Sequence, residues 1–244
     1  MATRSHKGTW IAIDGPAGSG KTTVGRRLAR ELGFQFINTG SMYRAVAWGL
    51  ARGLKLEEME IDFEDERVLL NGEDVTERLY NEELDRRASL AARDPGVRSF
   101  LIRRQQELAE GRDVVMEGRD IGRVVLPEAE VKLFLTASAE ERACRRARER
   151  GGSPQEHLQE LRERDERDRG FGRLEPAPDA VIIDTEGLTV EEVVERALEA
   201  VRRARASGAR AKSRGQEREQ EEEEEEEEGE GKGGESPQSK AKGR

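Results

Sequence analysis

Eight consecutive residues, Gly15-Pro16-Ala17-Gly18-Ser19-Gly20-Lys21-Thr22, fit the spacing G-x-x-x-x-G-K-[ST], and they constrain the fold more than anything else in the chain. The apolar run Trp10-Ile11-Ala12-Ile13 before them reads as a buried strand. Residues 23–32 after them carry the periodicity of an amphipathic helix. Strand, glycine loop and helix in that order form a phosphate cradle. The glycines let backbone N–H groups turn inward, and the positive helix end, the Lys21 ammonium and a Thr22 hydroxyl for Mg²⁺ complete it. The reading assigns Gly15 to Thr22, with Thr23, to a nucleoside triphosphate. A dinucleotide site of the form G-x-G-x-x-G fails because Thr23 stands where the third glycine belongs. Guanine-specific proteins carry an Asn-Lys-x-Asp segment that this chain lacks, so the expected nucleotide is ATP.

Strand and helix signals alternate beyond the loop. Strands are expected at 34–38, 113–116, 131–135 and 180–184, and helices at 41–52 and 81–92. Another helix opens with Asp94 as cap and Pro95 in its first turn. Residues 67–75 read as a hairpin turned at Asn71-Gly72. Ser138 with Glu141 and Thr189 with Glu192 are capping-box pairs for two more helices. Arginine-rich segments run from 142 to 150, within the helical run 139–150 that Ser138 opens, and from 158 to 169, separated by the turn signal Gly151-Gly152-Ser153-Pro154. Together these predict an α/β fold, a parallel sheet covered by helices.

Of the 244 residues 39% are charged, too many for a compact domain until their placement is considered. From about Ser207 the apolar periodicity stops and an unbroken acidic run extends from Glu221 to Glu228. That segment cannot bury enough apolar surface to order itself, so residues 207–244 are read as a disordered tail, and residues 1–8 as a leader. The tail's partner is open, and an inert role is favoured. One cysteine, Cys144, forms no internal disulfide, and no apolar run reaches the ~18 residues of a membrane span. A cytoplasmic protein without membrane or nucleic-acid partners is expected. The net charge of −9 fits that, and the basic cluster from Arg202 to Arg214 reads as a solvated helix end.

The segments Asn38-Thr39-Gly40-Ser41-Met42-Tyr43-Arg44, Val75-Thr76, Glu117-Gly118-Arg119-Asp120-Ile121-Gly122 and Arg164-Asp165-Glu166-Arg167-Asp168, in this order around the glycine loop, resemble bacterial cytidylate kinases. The resemblance spans about Thr9 to Ala206. It implies a P-loop fold with five parallel strands, an acceptor-binding insert at about 41–98, an arginine lid at about 142–173, and transfer of phosphate from ATP to CMP or dCMP by a monomer. It also implies that Thr39, Tyr43 and Arg44 help hold the acceptor, that Arg119 contacts its phosphate, and that Asp120, Ser89 and Arg98 read the base. Arg164 and Asp168 would hold the sugar hydroxyls. Lys21, Arg44, Arg119 and Arg164 would be the catalytic cations, since phosphoryl transfer rests on positioning and charge neutralisation.

Three departures stand out. Glu117 occupies a position where the family usually has aspartate, Phe171 one where it usually has arginine, and the insert is short. Arg173 is the candidate replacement for the missing charge, and the short insert is expected to loosen discrimination between cytosine and uracil. Two rival readings stay open. One is a P-loop kinase of another small acceptor, such as shikimate; the other is a non-catalytic ATP-binding module that works through its acidic tail.

Overall fold

The computed structural model describes residues 8–207, so the leader up to residue 7 and the tail from 208 lie outside the described residues. The chain divides into units spanning 1–200 and 201–244, and the first holds both sheets. In the second, the described residues 201–207 are helical.

Five parallel strands form the main sheet: β1 (Trp10–Asp14), β2 (Gln35–Asn38), β6 (Val114–Glu117), β7 (Val131–Thr136) and β8 (Val181–Asp184), in the order β2-β6-β1-β7-β8. Ile11, Ala12 and Ile13 of the central strand have no solvent exposure, as expected of a strand buried on both faces. The register aligns Asn38, Ile13 and Glu117 across three neighbouring strands, so the carboxyl ends of β2, β1 and β6 finish at one level. Ligand crevices of open α/β sheets form at that edge.

Helix α1 (Lys21–Leu32) leaves the glycine loop and packs on β6, β2 and β1. It stops at Gly33, whose φ of 70° places it in the left-handed region that glycine adopts freely. Helix α2 (Thr39–Leu50) begins two residues before the sequence signal, because the Asn38 side chain accepts the Ser41 N–H and so caps it. Next come the antiparallel strands β3 (Ile61–Glu64), β4 (Arg67–Leu70) and β5 (Glu73–Asp74), then α3 (Glu82–Ala91) and α4 (Pro95–Ala109). Asn71 and Gly72, with φ of 51° and 78°, make the expected two-residue turn. Strand β3 escapes the sequence reading: Ile61 and Phe63 face inward, but Asp62 and the acidic turn after Glu64 hide a four-residue alternation. Ile61, Phe63, Val68, Leu70, Val75 and Leu79 of this insert share one buried cluster with Ala12, Ile37 and Met116 of the main sheet.

Helices α5 (Ala139–Arg150) and α6 (Pro154–Gly170) form an antiparallel hairpin, and a last helix covers 190–200. Helix α6 opens four residues ahead of the arginine-rich segment at 158–169, because Ser153 and Glu156 make a complete capping box with Pro154 in the first turn. The Ser138 box is only half formed. Its hydroxyl takes the Glu141 N–H, but the Glu141 carboxylate bonds Arg145 at 2.9 Å, and the Ser138 N–H turns to Glu186. The Thr189 and Glu192 box forms in both directions.

Candidate active site

The loop after β1 keeps its shape through three contacts beneath it. Lys21 is 7% exposed and its Nζ donates to the Pro16 carbonyl at 2.7 Å, so the ammonium is folded under the loop. The Arg119 guanidinium donates to the Gly15 carbonyl at 2.9 Å. The third contact is Arg142 of α5, 4% exposed, which donates to the carbonyls of Ala137 at 3.1 Å and Ala17 at 3.0 Å and to the Asp165 carboxylate at 2.6 Å. Arg142 thus joins the loop apex, the end of β7 and helix α6. Ala17 also packs with Ala143 and Leu161, so the apex sits on the α5–α6 hairpin.

A cavity of about 280 Å³ opens above the loop. Ala17, Gly18, Gly20, Lys21, Thr22 and Thr23 line one end of it. Gly15, Pro16 and Ser19, assigned to the nucleotide from sequence, do not line it. They lie buried below, where the carbonyls of Gly15 and Pro16 anchor Arg119 and Lys21. Thr39, Tyr43 and Arg44 reach the cavity from α2, Ser89 from α3, Arg98 from α4, Arg119 and Asp120 from the segment after β6, and Arg164 and Asp168 from α6. All nine proposed acceptor residues therefore border one space.

The turn that carries Arg119 and Asp120 is fixed from β1. Both oxygens of the buried Asp14 carboxylate accept backbone N–H groups, from Ile121 and Gly122, each at 2.8 Å. Residues Ile121–Val125 then form one wide turn closed by the Leu126 N–H to the Ile121 carbonyl, an i→i+5 bond common at functional sites. Burial pushes the Asp14 carboxyl up to about 6, against the pull of its two N–H partners.

Several cations in the cavity are matched with carboxylates. Arg44 holds Asp85 of α3 at 2.7 Å, and Asp85 also accepts from Arg150 at 3.1 Å. Arg98 pairs with Asp120, and Arg119 with Asp168 at 3.1 Å. Arg167 reaches the Ser89 hydroxyl at 3.4 Å. Burial, then the nearby Arg119 charge, brings Arg164 down to about 9. The same two causes hold the Lys21 ammonium well below its ordinary range. Burial raises the Tyr43 hydroxyl. Arg173 lines the cavity, donates to the Ala92 carbonyl and lies 4.8 Å over the exposed Phe171 ring.

Glu117 is 2% exposed and its Oε1 accepts the Thr22 hydroxyl at 2.7 Å, while its Oε2 is buried without a partner. Burial pushes this carboxyl up, against the pull of Lys21. An unfilled hard oxygen beside a hydroxyl suits Mg²⁺, which takes few protein ligands and completes its shell with water and phosphate. Among the described residues no group of three or more His, Cys, Asp or Glu could hold a metal ion.

The sequence does not single out several lining residues individually. Asp85, Arg145, Arg146, Arg150 and Gln105 all border the cavity. The arginines were legible as a class, since the lid was read as arginine-rich. Asp85 and Gln105 look like ordinary helix residues until α3 and α4 are placed beside α2.

A family model described as cytidylate kinase matches residues 11–203. The chain belongs to the cytidylate kinase family. A cytidylate kinase from Caldanaerobacter subterraneus subsp. tengcongensis is 46% identical over 79% of this chain and 94% of its own length. One from Pelotomaculum thermopropionicum is 47% identical over 80% and 96%. Among solved structures, a shikimate kinase from Acinetobacter baumannii in complex with shikimate aligns over 80% of this chain and 94% of its own, with 17% identity and a TM-score of 0.44. This member of the cytidylate kinase family is an enzyme whose sheet edge, glycine loop and arginine cavity lie together in one unit.

Proposed function

We propose that this enzyme transfers the γ-phosphoryl group of ATP to CMP and dCMP, working as a cytoplasmic monomer with Mg²⁺. The observation that carries the reading is that a Lys21 phosphate loop and the pairs Arg98–Asp120 and Arg119–Asp168 line one cavity. A nucleoside monophosphate offers a phosphate, sugar hydroxyls and a base edge, and this set supplies guanidinium donors and carboxylate acceptors for all three.

In this reading an oxygen of the acceptor phosphate attacks the γ-phosphorus in line, a new P–O bond forms, and the bond to the ADP oxygen breaks. The nucleophile is already an anion, so no side chain needs to remove a proton. Lys21, Arg44, Arg119 and Arg164 balance the charge around the moving group. Thr22 and Glu117 would hold Mg²⁺, which would supply positive charge to the phosphates during transfer. Helices α5 and α6, resting on the loop through Arg142, keep water from the donor. Arg173 supplies the positive charge that Phe171 does not.

The test is ADP formation from Mg²⁺ and ATP with CMP, dCMP, UMP, AMP and shikimate offered separately, with Lys21→Ala as control. Turnover with CMP and dCMP that the control abolishes is expected. ATP binding without turnover of any monophosphate would refute the reading.

A further inference from the structure

Helix α4 presents one polar side chain that the reaction outlined above leaves without work. Gln105 is 1% exposed, lies along the helix between the buried Leu101 and Leu108, and borders the cavity. Its Nε2 is buried and has no hydrogen-bond partner. An amide donor in that state is costly in the empty protein, and leucine at 105 would continue the apolar row. Such a group is explained when something entering the cavity accepts from it.

The surroundings indicate what enters. Arg98 and Ile102, seven and three residues earlier, share the cavity-facing side of α4. The helix rests on the wide turn, where Gln106 donates to the Val125 carbonyl at 3.0 Å, and Ile121 and Val125 of that turn also line the cavity. Ile102, Ile121 and Val125 line the same cavity as Gln105 and offer it apolar wall suited to a flat ring. Lys21 and Arg164, which suit phosphate, come from α1 and α6.

We propose that Gln105 is a specificity-determining residue of the acceptor pocket, its side-chain N–H donating to the O2 carbonyl oxygen of the pyrimidine ring. This rests on the reading of the protein as a CMP kinase and adds a base contact to it. The contact reports the carbonyl that cytosine and uracil share and adenine lacks, whereas Asp120, an acceptor, suits an amino group.

The experiment compares wild type with Gln105→Leu, and with Gln105→Met should leucine prove too broad. CMP binding is measured by calorimetry without ATP, steady-state turnover with it, and melting is recorded for each protein. In the variant, KM and Kd for CMP rise about tenfold to a hundredfold, while KM for ATP stays within twofold. The melting temperature holds or rises, because an unsatisfied buried amide has gone. The monophosphate of 2-thiocytidine, whose sulfur accepts weakly, binds wild type less well than CMP does but binds the variant as well as CMP. Variants that bind CMP as wild type does would overturn the proposal. So would equal losses toward CMP and ATP with a lowered melting temperature, the mark of a structural role. Wild type that binds ATP but no CMP would bring down the kinase reading itself, a different outcome from a normal wild type with indifferent variants.

Discussion

Asp14 links the end of β1 to the turn bearing Arg119 and Asp120, and its titration can be measured. Burial raises its carboxyl from 3.8 to about 6 in the native protein. Between those values the native state holds a proton that the unfolded chain has released, so stability must rise as pH falls through the window. A displacement of about two pH units, at about 1.4 kcal/mol each, is worth about 3 kcal/mol. Asp14→Asn removes the titration. The amide keeps one acceptor for the Ile121 and Gly122 N–H groups and leaves the other unmatched, costing about 1–3 kcal/mol at every pH. Urea unfolding of both proteins from about pH 7.5 to about pH 4 isolates the effect, since other groups cancel in the difference. The stability of wild type minus that of the variant should grow by about 3 kcal/mol toward acid. A difference that stays flat or shrinks would refute the argument that burial governs Asp14.

Thr39→Val keeps the shape of the side chain but removes the 2.7 Å bond from its hydroxyl to the Glu117 carbonyl. The buried carbonyl left behind costs about 1–3 kcal/mol, lowering the melting temperature by about 2–12 °C; an unchanged melt would contradict this. Arg142→Met strands the Asp165 carboxylate, 3% exposed, in the interior. A loss of about 3–5 kcal/mol is expected in urea unfolding, and the double variant with Asp165→Leu should recover much of it.

The phosphate loop was legible because its chemistry is local: glycines at fixed intervals, one lysine and one hydroxyl between a strand and a helix. Helix ends with complete side-chain signatures, such as Ser153 with Glu156, were legible for the same reason. The Ser138 signal marks the start of its helix correctly, but the return half of the box does not form, because Glu141 has a better partner in Arg145 and Ser138 a remote one in Glu186, and sequence cannot weigh contacts 48 residues apart. Strand β3 was too short and too acidic to show a period. The positions around the acceptor were found through the family's motifs. The residues that hold those side chains in place, Asp14, Asp85 and Arg142, act through the tertiary fold and bear no local mark.

The carboxylate partners of Arg44, Arg98 and Arg119 have a consequence for how small molecules compete for this cavity. Opening any one pair exposes a donor and an acceptor together. A molecule that uses only the donor, such as inorganic phosphate, leaves an aspartate stranded, and cytidine, whose sugar hydroxyls would take Asp168 without a phosphate for Arg119, leaves that arginine stranded. A whole nucleotide engages both halves. Its affinity should therefore exceed the product expected from its fragments, so that screening by pieces would underestimate the best ligand of this cavity.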